Sequence, residues 1–209
     1  MLDNNRASGV IFKQKDDEYY ALTAYHVIKE QKNTTYLIQT VNDKSIPEYR
    51  KLHPEEGHTS LEEYYGNFPV CDIVYTDETA DLAIIKFKSL QKLSVISLAA
   101  INPEKGTRVV CVGQDGNQNI HFCKTYGNVI SGKLENFDAA DGQSENKIIK
   151  VNAYGTSGFS GGAVIDEYMK LVGLNIGGGT DFLGRFKYEA IVPCEQLNKC
   201  IQEFEACIE

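Results

Sequence analysis

Gly158-Phe159-Ser160-Gly161-Gly162-Ala163-Val164 is the stretch on which the reading of this chain turns. Glycines on both sides of a serine let the backbone turn tightly, and the β-branched run that follows opens a strand. Two other stretches precede it. Leu22-Thr23-Ala24-Tyr25-His26-Val27-Ile28 ends a strand and turns, and Thr79-Ala80-Asp81-Leu82-Ala83-Ile84-Ile85 starts another. Each residue type suits one chemical job. A serine hydroxyl is a poor nucleophile at neutral pH and needs a neighbouring base. A histidine can take that proton and later return it to a leaving group. A buried carboxylate fixes the histidine tautomer and stabilises the imidazolium. Preorganised backbone amides stabilise a developing oxyanion. The candidate catalytic residues are therefore His26, Asp81 and Ser160, with the amides of Gly158 and Ser160 as the candidate oxyanion hole.

Around these stretches the chain reads as short β-branched or aromatic runs between turn residues. They include Gly9–Phe12, Tyr19–Ala24, Thr35–Val41, Cys71–Tyr75, Leu82–Phe87, Arg108–Val112, Gly127–Ile130, Lys147–Val151, Ala163–Ile165, Leu171–Ile176 and Glu189–Val192. About a dozen such runs predict an all-β barrel or sandwich. Helix is expected at Ala24–Gln31, as a turn or two, and at Cys194–Ile208. In the second case Pro193 precedes the run, Glu195 falls in the first turn, and Leu197, Ile201, Phe204 and Ile208 recur at helical spacing. Asn42–Pro69 and Lys133–Asn146 read as long polar loops. An internal boundary near Asn102–Gly106 divides the chain into 1–101, with the candidate His and Asp, 102–193, with the candidate Ser, and the terminal helix 194–209.

The 209 residues carry 21 Lys+Arg against 29 Asp+Glu, a net charge of −8. That balance speaks against a nucleic-acid partner, which needs a basic face, and against docking on an anionic membrane. No apolar run approaches the roughly 18–20 residues of a membrane span, and Met1–Gly9 lacks the apolar core of a signal peptide, so a cytoplasmic location is expected. Six cysteines show neither disulfide nor zinc spacing. They read as reduced small core residues, with Cys111 in a buried strand and Cys200 and Cys207 on the inner face of the last helix. His53, His58 and His121 are expected to be inert, and no metal or other cofactor is called for.

At this point the sequence resembles the trypsin-like (chymotrypsin-fold) serine peptidases over nearly its whole length. Thr23-Ala24-Tyr25-His26 is similar to that family's Thr-Ala-x-His, Asp81-Leu82-Ala83-Ile84 to its Asp-Leu-Ala-Leu/Ile, and Gly158–Gly162 to its Gly-x-Ser-Gly-Gly. Ser8–Ile11, Gly127–Ser131 and Val172–Asn175 resemble the Deg-type prokaryotic branch. The resemblance implies two six-stranded antiparallel β-barrels with a C-terminal helix, and serine endopeptidase chemistry in the cleft between them. The partners implied are a protein or peptide substrate and a separate regulatory or sensor protein. A catalytically latent fold serving as a protein-binding module is the alternative. An esterase of another fold is disfavoured, because it would place Ser before His.

Two departures from the family pattern matter. Digestive members form an ion pair between a freed N-terminal amine and an Asp just before the nucleophile, and Phe159 stands at that place here. The primary substrate pocket implied by the resemblance is built from Tyr154, from Ile176, Gly177 and Gly178, and from Tyr188 and Glu189. Tyr154 or Tyr188 narrowing the pocket favours small residues; Glu189 entering it selects Arg or Lys. A one-residue shift decides between these, and a solvent-facing Glu189 is expected.

Overall fold

The fold was analysed in a computed structural model, which describes residues 6–29, 35–52, 61–116, 120–138 and 145–208. The apolar runs become strands. In chain order these are β1 Val10–Lys15, β2 Glu18–Ala24, β3 Tyr36–Leu37, β4 Val70–Asp77, β5 Leu82–Lys88, β6 Arg108–Asp115, β7 Ile120–Asp138, β8 Glu145–Val151, β9 Ala163–Asp166, β10 Leu171–Thr180 and β11 Phe186–Pro193. The first five form an antiparallel sheet in the order β1-β2-β5-β4-β3, and the other six close into a barrel in the order β10-β11-β8-β7-β6-β9. The fold is thus all-β as expected. The second sheet has the six strands of a closed barrel, whereas the first has five among the described residues and β3 is only two residues long.

Two of the local expectations are corrected. Asn42–Pro69 is not all loop, since it holds the short helices α1 Ile46–Leu52 and α2 Leu61–Tyr65. Tyr64 is buried there, edge-on against Tyr49, Tyr65 and Phe68. Polar composition masked a cluster whose anchors are all aromatic. Lys133–Asp138 and Glu145–Asn146 are strand, as the ends of a β7–β8 hairpin. The turn or two of helix expected within Ala24–Gln31 is one 3₁₀ turn, Tyr25–Val27, and residues 30 and 31 lie outside the described residues. His53 and His58 lie outside the described residues, and Ile120–Asp138 carries His121 at the start of a strand, as read.

The terminal helix α3 spans Cys194–Ile208. Its start is held from outside, because the Asn102 side-chain oxygen accepts the Glu195 N–H at 3.1 Å and Asn198 donates to the Ala99 carbonyl at 3.0 Å. The helix therefore straps down the segment that joins the two sheets. Its inner face is Cys194, Leu197, Cys200 and Phe204, all buried, while Cys207 is exposed rather than turned inward. At 100° per residue Cys207 is displaced from Cys200 by only about 20°, but by then the helix has run past the sheet it covers. Burial pushes the thiols of Cys111 and Cys200 up to about 12, so both stay neutral core residues. One apolar core joins the parts: Leu22, Ala24, Leu82 and Ile84 of the first sheet meet Leu174, Ile176, Ala190 and Val192 of the barrel and Leu197 and Phe204 of α3. A second core fills the barrel itself, with Val109, Cys111, Val151, Phe159, Val164 and Ile191.

Candidate active site

Strand pairing brings His26 and Asp81 together. β2 and β5 are antiparallel with Ala24 opposite Leu82, so the residues just past the end of β2 and just before the start of β5 are neighbours. The Tyr25 N–H donates to the Asp81 carbonyl at 3.0 Å. Asp81 adopts φ +53°, a left-handed conformation that Asp tolerates better than most residues. Its carboxylate is used twice. One oxygen accepts the backbone N–H of His26 and the other the His26 ring Nδ1, both at 2.7 Å. His26 is thereby fixed in position and in ring orientation, and its Nε2 lies 3.0 Å from the Ser160 Oγ. Asp81 is 8% exposed, so water competes little for these bonds. A hydroxyl, an imidazole and a buried carboxylate in series can move a proton off the hydroxyl.

Ser160 comes from the loop between β8 and β9, and the hydrogen bonds of that loop can be followed atom by atom. Phe159 N–H donates to the Thr156 carbonyl, Gly161 N–H to Asn175, and Gly162 N–H to Phe159. The carbonyls of Ser157 and Ser160 accept from the N–H groups of Gly116 and Ser8. The N–H groups of Gly158 and Ser160 donate to nothing among the described residues. Unpaired amides are rare in a buried segment, and Gly158 is buried. The peptide bond between Ser157 and Gly158 is trans, as are all among the described residues, so anchoring the Ser157 carbonyl on Gly116 turns the Gly158 N–H the opposite way. Gly158 has φ +96° and Gly161 φ +82°. A Cβ on Gly161 would run into the Ser8 carbonyl and the Thr23 hydroxyl, so glycine is required there on both counts.

Ser8 and Thr23 are residues whose part in the site the sequence reading did not see. The Ser8 hydroxyl donates to the Gly158 carbonyl at 2.7 Å and accepts the Gln114 N–H at 2.9 Å. Its N–H donates to the Ser160 carbonyl at 2.8 Å, and its own carbonyl accepts the Thr23 hydroxyl at 2.8 Å. Ser8, two positions ahead of β1, thus links the strand that leads to His26 with the loop that carries Ser160. Phe159 is 1% exposed and sits in the barrel core. An apolar anchor occupies the place where digestive relatives use an ion pair.

The candidate substrate-binding residues divide. β10 pairs with β9 only from Leu171 to Leu174, and with β11 from Gly173 to Thr180. Past Leu174, the side of β10 away from β11 therefore has no strand partner among the described residues, and Gly177 and Gly178 lie on that free edge. Ile176 is buried in the core between the sheets. Tyr154 is half-exposed and packs edge-on against Phe186. The Tyr188 ring lies against Gly179 and beneath the Lys150 ammonium. Glu189 corrects the solvent-facing expectation: it is 4% exposed and turned into the barrel, in line with Ile191 two residues on. Burial alone pushes its carboxyl up to about 8. Among the described residues no group of three His, Cys, Asp or Glu side chains is placed to hold a metal, and no helix is long and apolar enough to cross a membrane.

An all-β chain with a five-stranded sheet and a closed six-stranded barrel, a histidine and an aspartate from the first and a serine from the second, has the architecture of the chymotrypsin-like folds. The profile of the Trypsin-like peptidase domain matches residues 7–174, and the chain belongs to that family. A curated relative, the serine protease Do-like HtrB of Bacillus subtilis, is 24% identical over 171 residues. That alignment covers 80% of this chain and 32% of the relative, so the chain spans about a third of its length. Among solved structures, the HtrA-type protease AlgW with decapeptide superposes with TM-score 0.70 at 18% identity, covering 96% of this chain and 51% of that one. A serine-to-alanine mutant of Mycobacterium tuberculosis Rv3671c in an inactive form gives TM-score 0.67 at 18% identity, covering 96% and 82%.

Proposed function

We propose that this protein is a serine endopeptidase acting through an acyl-enzyme. Ser160 attacks the scissile carbonyl while His26 takes its proton and then delivers it to the leaving amine; Asp81 orients His26 and stabilises the imidazolium. The Gly158 and Ser160 amides receive the oxyanion. The observation that carries this reading is the unbroken series Asp81–His26–Ser160 at 2.7 and 3.0 Å, beside two unused amides. A substrate strand would add to the free β10 edge at Gly177–Gly179, where small residues allow close backbone approach. Residues 1–101 and 102–193, with the helix 194–209, then act as one peptidase unit. The location proposed is the cytoplasm, a reducing compartment suited to six free thiols. Regulation there falls to a separate sensor or partner protein.

The test is labelling with a fluorophosphonate, beside a Ser160→Ala variant, with the adduct located by mass spectrometry. Labelling at Ser160 that disappears in the variant is the expected result. No labelling of the wild-type chain, alone or with candidate partners, would favour a latent binding module instead.

A further inference from the structure

Glu189 is a carboxyl without a partner among the described residues, in a place where the fold has made room for one. It lies opposite Gly178 in the β10–β11 pairing. A Cβ on Gly155 would collide with its carboxyl group, and a Cβ on Gly178 would come within 3.0 Å of one of its oxygens. The carboxyl therefore sits between the segment that leads into Ser160 and the β10 edge. Both walls are stripped of side chains at the point of contact. No hydrogen bond or ion pair reaches it among the described residues. The nearest strand, β8, does carry a cation, Lys150, opposite Ala190. That ammonium is held elsewhere, 2.5 Å from Glu135 and 4.6 Å from the centre of the Tyr188 ring. Leaving an acid buried and unpaired is unfavourable unless a cation or donor meets it, and nothing among the described residues does.

The site is also close to Ser160. The Gly161 N–H donates to the Asn175 carbonyl, and the Asn175 N–H donates to that of Gly162. Asn175 is thereby pinned to the nucleophile turn. At about 3.3 Å per strand residue, Gly178 lies about 10 Å further along β10, within reach of a long side chain held beside the serine.

We propose that Glu189 is the floor of a subsite beside Ser160 that receives a lysine or arginine side chain, the residue on the N-terminal side of the bond to be cut. The proposal rests on the endopeptidase reading and names its substrate class. The extended substrate pairs with the Gly177–Gly179 edge, and its cationic side chain passes between Gly155 and Gly178 to the carboxyl. On binding, Glu189 releases its proton to solvent where it holds one, the incoming ammonium or guanidinium keeps its own, and a buried ion pair replaces a buried neutral acid. The selectivity thus comes from β11, and Tyr154, packed on Phe186, takes no part in it.

Three probes test this. A fluorophosphonate reports the nucleophile alone. A peptidyl diphenyl phosphonate with lysine at the reactive position is compared with its neutral norleucine counterpart. p-Aminobenzamidine binding is measured by fluorescence on Ser160→Ala, with and without Glu189→Gln. The expected results are lysyl labelling about 100-fold faster than norleucyl, collapse of that ratio in Glu189→Gln, and amidine binding that Glu189→Gln abolishes. If the fluorophosphonate labels Ser160 but the norleucyl probe equals or beats the lysyl one, the subsite is overturned and the enzyme stands. If nothing labels Ser160, the enzyme reading fails, and amidine binding decides the subsite alone: Glu189-dependent binding supports it and no binding overturns it. The lysyl-to-norleucyl ratio of the wild-type chain needs no variant, and a thermal melt of Glu189→Gln shows whether that variant is folded.

Discussion

Ser8→Ala isolates what holds the nucleophile loop in shape. The substitution keeps the backbone bonds of residue 8 to Ser160 and to the Thr23 hydroxyl. It removes the two side-chain bonds, one to the Gly158 carbonyl and one from the Gln114 N–H. A buried polar group left unsatisfied costs about 1–3 kcal/mol. Ser8 and Gln114 are only half-buried and water can reach them, so the expected total is about 1–2 kcal/mol. For a chain of this length that lowers Tm by roughly 2–8 °C, which leaves the fold intact. The kinetic effect is expected to exceed the stability effect, because freeing the Gly158 carbonyl releases one of the two peptides of that glycine and leaves its N–H held by the Ser157–Gly116 bond alone. Outright loss of one oxyanion donor lowers kcat by about 10²–10³; a loosened one should lower it by about 10- to 100-fold. The assay is saturation kinetics of fluorophosphonate labelling, with a melt of the same sample. The maximal labelling rate should fall while half-saturation holds, since the groove that binds the probe is untouched. An unchanged maximal rate in a protein whose Tm has dropped would show that Ser8 only stabilises the loop, and would refute the argument.

Asp81→Asn should keep the fold and lower kcat by about 10⁴-fold through the wrong histidine tautomer, read by the same labelling kinetics. Phe159→Ala empties a site in the barrel core and should destabilise by about 3–5 kcal/mol, read by urea denaturation. Glu189 should make stability fall as pH rises. Its carboxyl is raised from 4.5 to about 8, so between those values the folded state holds a proton the unfolded chain has lost, and stability declines across that window and levels off above it. The full effect is at most roughly 5 kcal/mol. Cys111, the titratable group facing Glu189, is raised to about 12 and stays neutral throughout. Glu189→Gln should therefore flatten the curve of denaturation midpoint against pH between 5 and 8; parallel curves for the two proteins would contradict the buried, partnerless carboxyl.

What could be read from the sequence follows from the range of the interactions involved. The strands were legible because alternation and β-branching are local, and each apolar run named from the sequence overlaps a strand of the structure, although only Tyr36 and Leu37 of the Thr35–Val41 run are strand. The candidate site was legible because three short motifs carry it. The face of Glu189 was not legible. β10 and β11 slip register between Asn175 and Gly177 and again between Gly179 and Thr180, and one slipped residue turns a side chain from solvent into the core. The short helices in Asn42–Pro69 were hidden by the polar residues around Tyr49, Tyr64, Tyr65 and Phe68. Ser8 was hidden for another reason: its bond to Gly158 spans 150 positions, and nothing near Ser8 hints at its partner.

Phe159 and Ser8 bear on one physical problem. A loop rich in glycine has many conformations to lose on ordering, yet its amides must point at a fixed place before substrate arrives. Digestive relatives order it with a charge set free by cleavage. Here the loop is anchored inward by an aromatic ring, worth about 1.5–3 kcal/mol when fully buried, and outward by the hydroxyl of a residue already in the chain. Neither anchor needs a cut. Both are reversible, and the outer one depends on the segment before β1 keeping its place. A partner that pulled on that segment would take the Ser8 hydroxyl from the Gly158 carbonyl and the Ser8 N–H from the Ser160 carbonyl together, while Asp81 and His26 keep their own bonds. Control of this site by a separate protein, as proposed above, would thus act on the shape of the loop that carries Ser160 and leave Asp81 and His26 paired.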